Sequence, residues 1–172
     1  MKIRFASLFL AFVSVIHGET VGIAPNGKFE IDQKFNDGWA ETIKFNDSKL
    51  PIVNLEAFPW PGFYSISPDG KWILRIQKSG SGSNLGFLYR IESNGRVSQI
   101  INFDNSLWKI SDAHSRLKTG DLYHTGIDSA SWTKDGHSLI LSIRGSNSKK
   151  SEDGITSKIE YDMRSHTFSY LE

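Results

Sequence analysis

Ser67-Pro68-Asp69-Gly70-Lys71-Trp72-Ile73-Leu74-Arg75-Ile76-Gln77 is a tight turn feeding a strand. Pro68 presets φ at the second turn position, and Gly70 supplies the left-handed backbone that closes the turn. Beyond it Trp72, Leu74 and Ile76 alternate with Lys71, Ile73, Arg75 and Gln77, a period of two that reads as one apolar core face and one mostly polar face. The pattern recurs at Thr133-Lys134-Asp135-Gly136-His137-Ser138-Leu139-Ile140-Leu141-Ser142-Ile143, and Ala24-Pro25-Asn26-Gly27-Lys28-Phe29-Glu30-Ile31 is a weaker third copy. A turn-plus-strand unit used repeatedly points to an all-β scaffold, of a kind that more often binds than catalyses.

Working outward from that unit, residues 27–35 and 39–45 form β-rich segments joined by Asn36-Asp37-Gly38, whose Asp-Gly pair is a hairpin signal. Residues 49–55 read as a short strand that Pro51 confines to an edge. Phe58-Pro59-Trp60-Pro61-Gly62 is a rigid aromatic loop, because two prolines restrict their own φ and push the preceding residues to extended geometry. Residues 63–66, 71–77, 87–91 and 96–103 make a four-strand meander. Leu107, Ile110 and Leu117 suit a short helix or irregular packing around Trp108, and residues 104–121 are expected to be mostly non-regular. A second meander runs over residues 128–171, with a polar loop at 145–154 and a turn near Arg164-Ser165-His166.

The N-terminus indicates where the chain works. Lys2 and Arg4 precede an apolar run over residues 5–16, which fits a secretory signal of about 15–30 residues better than a membrane span of about 20 apolar residues. Processing after Gly18 divides the chain into a signal, 1–18, and a single domain, 19–172, with no membrane span in the mature part and a periplasmic or secreted location. There is no cysteine, which excludes disulfides, thiol nucleophiles, cysteine-ligated zinc and lipid-modified N-terminal cysteine. Twenty basic and 19 acidic residues nearly cancel, so no electrostatic footprint favours nucleic acid or an anionic membrane.

The segments Ser65-Ile66-Ser67-Pro68-Asp69-Gly70-Lys71-Trp72-Ile73 and Ala130-Ser131-Trp132-Thr133-Lys134-Asp135-Gly136 resemble blades of the periplasmic TolB-type β-propeller repeat. Blades of comparable propellers take about 40–45 residues and rings take about 4–8 of them, so this chain is too short to close a ring. The expected fold is therefore all-β: two antiparallel, propeller-blade-like meanders, near 63–103 and 128–171, packed as an open sandwich rather than a closed propeller.

Catalytic signals are thin. His114, His124, His137 and His166 stand in no metal-ligand spacing, and Gly80-Ser81-Gly82 is not a nucleophile elbow. Ser81, His124 and Asp128 form the sort of trio any protein of this size contains. No enzyme activity, catalytic residue, metal or cofactor is expected. Trp72 and Trp132 lie inside the repeat and read as blade packing, whereas Trp60, in its proline-flanked loop, is an exposed anchor or a contact residue.

Ser79-Gly80-Ser81-Gly82-Ser83-Asn84 is the candidate contact element. It exceeds the two residues a plain hairpin requires, and its small side chains would let it enter a narrow cleft. The order of Ser67-x-Asp69-Gly70-Lys71-x-Ile73-Leu74, then Ser79-Gly80-Ser81, then Trp108 and Arg116-Leu117, is similar to periplasmic immunity proteins that neutralise type VI secretion peptidoglycan amidases. That resemblance implies a serine plugging the amidase active site and hydrogen-bonding its catalytic cysteine and histidine; Ser81 matches it by position, with Ser79 and Ser83 the neighbouring registers. The expected function is thus an exported inhibitor of a cell-wall amidase effector, with residues 79–84 and Trp60 touching the protein partner. The alternatives are a blade-like accessory module of an envelope complex and a small carbohydrate-binding protein using Trp60.

Overall fold

The computed structural model describes residues 18–147 and 154–171. The export signal, read on residues that include 1–17, and the middle of the 145–154 loop lie outside them.

The repeated turn is built the same way three times. Gly27 N donates to Ala24 O at 2.8 Å, Gly70 N to Ser67 O at 2.8 Å and Gly136 N to Thr133 O at 2.9 Å. In each copy the Asx side chain accepts from the amide two residues on: Asn26 from Lys28 at 3.0 Å, Asp69 from Lys71 at 3.1 Å and Asp135 from His137 at 3.0 Å. The hydroxyls of Ser67 and Thr133 also accept the amides of Trp72 and Ser138, each at 2.9 Å. Ala24 has no hydroxyl to offer, which is why the first copy is the weaker one in sequence. The Thr133 hydroxyl and the His137 amide hold the Asp135 carboxyl below the ordinary aspartate range.

Each turn opens the second strand of a four-stranded antiparallel meander. The first sheet comprises β1 Glu19–Ile23, β2 Phe29–Phe35, β3 Trp39–Phe45 and β4 Val53–Asn54. The second comprises β5 Gly62–Ile66, β6 Trp72–Gly80, β7 Ser83–Ile91 and β8 Val97–Gln99. The third comprises β9 Leu122–Trp132, β10 Ser138–Asn147, β11 Gly154–Asp162 and β12 Thr167–Leu171. The fold is all-β, an open stack of propeller-blade-like meanders. It holds three of them rather than two, because the weak copy at Asn26-Gly27 also builds a sheet. The turns stack with the sheets: Asn26 Nδ2 donates to Asp69 O at 2.8 Å, and a Cβ on Gly136 would lie 3.4 Å from Asp69 Oδ1.

The second sheet is the middle layer, so both of its faces are buried. Trp72, Leu74 and Leu88 pack on Ile127, Leu139, Leu141 and Ile143 of the third sheet. Ile73 and Tyr89, on the opposite face, pack on Phe29, Ile31 and Ile43 of the first. Burying side chains of this size contributes about 1.5–3 kcal/mol each. The expectation that Ile73, Arg75 and Gln77 form a mostly polar outer face is corrected: all three are fully buried against the first sheet.

The expectation of non-regular chain over 104–121 is corrected too. Phe103–His114 is a helix, α1, followed by a 3-10 turn at Thr119–Asp121. Phe103, Leu107, Trp108 and Ser111 lie on its buried stripe, and Phe103 meets Tyr161 and Phe168 with ring centroids 5.2 Å apart in each case. The helix thus fills the wedge between the second and third sheets. Asp104 accepts from Gly86 N at 2.7 Å, and burial raises its carboxyl pKa against that hydrogen bond.

The outward faces of the two terminal sheets are polar. On the first, Thr20 and Lys44 bind Asp32 beside Glu30, Lys34 and Thr42. On the third, Ser129, Ser142, Arg144, Lys158 and Glu160 share the outer registers.

Candidate functional site

The strand order sends the β2–β3 and β6–β7 connections, with the end of β10 and the start of β11, to one end of the stack and the repeated turns to the other. The six-residue flexible loop expected at Ser79–Asn84 is corrected here. The β6 strand continues to Gly80 and β7 begins at Ser83, with Gly80 paired to Ser83 and only Ser81-Gly82 left as the turn. The physical reason is that Gly82, at φ 72°, supplies a left-handed residue that lets the chain reverse directly after Ser81, while the pairing register shifts between Lys78 and Gly80 and leaves Ser79 without a cross-strand partner. Ser79, Ser81 and Gly82 are exposed, while Gly80, Ser83 and Asn84 are half-buried.

This hairpin is fixed from one side by the third sheet. Asn84 Oδ1 accepts from Ile127 N at 2.8 Å and Asn84 Nδ2 donates to Ile127 O at 3.1 Å, so one side chain completes both hydrogen bonds of a β9 residue. At the tip, Gly82 lies so close to the His124 ring that a Cβ would stand 2.9 Å from it. Asn84→Ala is expected to cost about 1–3 kcal/mol, since two half-buried backbone groups lose their partners together. Hydrogen exchange should show faster opening of the amides of Ile127, Ser83 and Leu85, with little change at Leu139 or Leu141.

On the other side the aromatic loop at residues 58–62 is held by a buried polar cluster between the first and second sheets. Glu41 Oε1 accepts from Gly62 N at 2.8 Å and from Gln33 Nε2 at 2.8 Å, and Gln33 Nε2 donates also to Gly62 O at 2.7 Å. Gln77 Nε2 donates to Trp60 O at 2.8 Å, and Arg75 Nη1 to Glu56 O at 2.9 Å. The Arg75 guanidinium also lies over the Phe58 ring at 4.7 Å. Its Nη2 stands 2.5 Å from Glu41 Oε2 with both side chains at 0 % exposure, an ion pair by distance without aligned N–H geometry, and Nε has no acceptor. Tyr64 OH donates to Glu41 Oε2; burial, supported by Glu41 and opposed by Arg75, pushes its pKa far above the ordinary phenol range.

Gln33, Glu41, Arg75 and Gln77 are the positioning residues that sequence reasoning missed. Their only signal is that four polar side chains sit at inward registers of β2, β3 and β6, and nothing in the sequence shows that the first sheet covers that face of the second.

The structure brings Trp60 and the hairpin together. Trp60 is 38 % exposed, and Lys78 Nζ lies 5.2 Å from the centre of its ring. Of the eight large apolar side chains exposed among the described residues, five stand at this end: Phe35, Trp60, Phe63, Leu85 and Tyr123. Ser81, His124 and Asp128 share the same corner, but as packing rather than as a relay. Asp128 is bound by Arg144 Nε, and Arg144 Nη1 donates to His124 O at 3.3 Å. Trp72 is buried, and Trp132 Nε1 donates to Ser65 Oγ at 2.9 Å, as expected of blade-packing residues. Arg116 and Leu117 are placed elsewhere, beside His114 and Tyr170 in a cleft of about 590 Å³. Among the described residues, no group of three His, Cys, Asp or Glu side chains is placed to hold a metal ion, and no helix is long and apolar enough to cross a membrane.

No family model matches the chain, and no curated protein matches it. Among solved structures it is similar to the crystal structure of TolB from Acinetobacter baumannii, with 18 % identity and a TM-score of 0.44, over 91 % of this chain and 32 % of that one. The chain thus spans about a third of that protein's length. Its class, an open stack of three blade-like meanders, rests on its own strand registers.

Proposed function

We propose that the protein is an exported binding module whose hairpin end contacts a protein partner, and that the partner is a peptidoglycan-degrading amidase whose cleft receives the turn at Ser81-Gly82. The observation that carries this reading is a hairpin tip clamped at Asn84 and Gly82, with exposed Ser81 at its apex and exposed Trp60 and Phe63 at its root. A clamped tip loses little conformational freedom on docking, and exposed aromatics beside it are the residue type that anchors interfaces. Inhibition by occlusion asks no chemistry of this chain. The sugar-binding alternative would use the same exposed Trp60 ring, with Lys78 Nζ 5.2 Å from its centre.

The test is inhibition of a cognate small cysteine–histidine amidase by purified protein. Ser81→Arg is expected to weaken inhibition at least tenfold with the fold intact by circular dichroism, because Ser81 is exposed and its side chain makes no hydrogen bond among the described residues. Unchanged inhibition by this variant sinks the assignment of the tip.

A further inference from the structure

Beside the hairpin lies a cleft of about 330 Å³ between the second and third sheets, lined by Phe63, Ile76, Lys78, Gly80, Asn84 and Arg144 among others. Its apolar wall is Phe63, 69 % exposed although it sits in register opposite Ile76, and its hairpin wall at Gly80 bears no side chain. Two cations border it. Arg144 is engaged by Asp128, but Lys78 forms no ion pair among the described residues and rests on the Trp60 ring instead. An apolar pocket rimmed by an ammonium without a counter-ion is complementary to an apolar side chain carried next to a carboxylate.

We infer that this cleft takes an aromatic or aliphatic side chain of the protein partner, with the adjacent Asp or Glu of that partner paired to Lys78. The inference rests on the hairpin end being the contact face, and it adds a second point of engagement beside the Ser81 turn. A central apolar anchor flanked by a charge at the rim is the arrangement that fixes orientation while leaving most of the affinity to the pocket.

Gly80 provides the test. A Cβ placed there meets nothing within 4 Å and its φ is not in the left-handed region, so Gly80→Leu adds an isobutyl group to a residue of the cleft wall without strain in the fold. The probe is the blocked dipeptide N-acetyl-Phe-Glu-amide, titrated into the isotope-labelled protein and followed through the amide signals of Phe63, Lys78, Gly80 and Ser83. Saturable shifts confined to that set are expected, at least tenfold weaker with Lys78→Glu, lost in Gly80→Leu and absent with N-acetyl-Phe-Lys-amide. Shifts elsewhere, none at all, or equal binding to Gly80→Leu overturn the inference. So does a dimer of the protein that Gly80→Leu dissociates, which would assign the cleft to a second copy of the chain. In the amidase assay, full inhibition by Gly80→Leu together with loss in Ser81→Arg rejects the cleft and leaves the proposed function standing; full inhibition by both rejects both.

Discussion

Arg75→Ala is expected to destabilise the protein by about 3–5 kcal/mol, the usual consequence of removing one partner of a buried ion pair and leaving the other charge uncompensated. The Glu41 carboxylate, at 0 % side-chain exposure beside Arg75, would keep Gly62, Gln33 and Tyr64 as donors but lose the cation next to it. Urea denaturation should report the loss as a lower midpoint with an unchanged slope. The double variant Glu41→Gln, Arg75→Met should recover more than half of it. Gln retains an oxygen for Gly62 N and Gln33 Nε2, and Met fills most of the volume while removing a guanidinium whose Nε is already without an acceptor. A loss below about 1 kcal/mol for Arg75→Ala would mean that water reaches the cluster, and that the layer between the first and second sheets is not dry.

The same variants connect stability to the contact surface. Arg75 and Gln77 hold Glu56 O and Trp60 O, so the proline-rich loop that presents Trp60 is tied to the inter-sheet layer rather than to its own short hydrogen bonds. Two prolines remove two donors from that loop, and buried side chains supply the missing bonds from below. Anything that loosens the cluster should therefore move Trp60 relative to the hairpin, while leaving the Asn84 clamp on the third sheet in place.

Much of this was legible in the sequence, and the failures have one cause. The period of two over Trp72, Leu74 and Ile76 gave the face that packs on the third sheet, and the Asp-Gly turns gave the strand starts. Periodicity reports which residues share a face but not whether a second layer covers the other one. Arg75 and Gln77 accordingly read as the polar face and Gln33 and Glu41 carry no assigned role, although all four are among the most buried polar groups of the described residues. The helix at Phe103–His114 escaped for a related reason: Phe103, Leu107, Trp108 and Ser111 follow a helical stripe, but only three of them are apolar. The sequence places the hairpin at Ser79–Asn84 but leaves its length open, because Gly and Ser there suit a loose loop as well as a tight turn. Its stiffness comes from Asn84 and His124, partners that strand pairing alone does not reveal.

Gly70→Ala is the sharpest test of why the repeated turn recurs in adjacent sheets, and Gly27→Ala is its control. Both glycines occupy the same turn position with nearly the same backbone, φ 67° and φ 66°. If the motif served only its own hairpin, the two substitutions would cost the same, about 1–2 kcal/mol for placing an alanine in the left-handed region. The surroundings differ. A Cβ on Gly27 meets nothing within 4 Å, whereas on Gly70 it would lie 2.2 Å from Asn26 Nδ2, the atom that donates to Asp69 O across the first and second sheets. Asn26 must swing away, and its bond to Asp69 and its support of Lys28 N go with it. The expected cost at Gly70 is about 2–4 kcal/mol, the left-handed term plus two hydrogen bonds. Thermal or urea unfolding of the two variants side by side measures the difference. Equal losses would reduce the turns to independent hairpin closures. A gap of 1 kcal/mol or more shows that the Asn-Gly and Asp-Gly copies act as a stacked column coupling one sheet to the next, which is the property that a chain of three meanders without a closed ring requires.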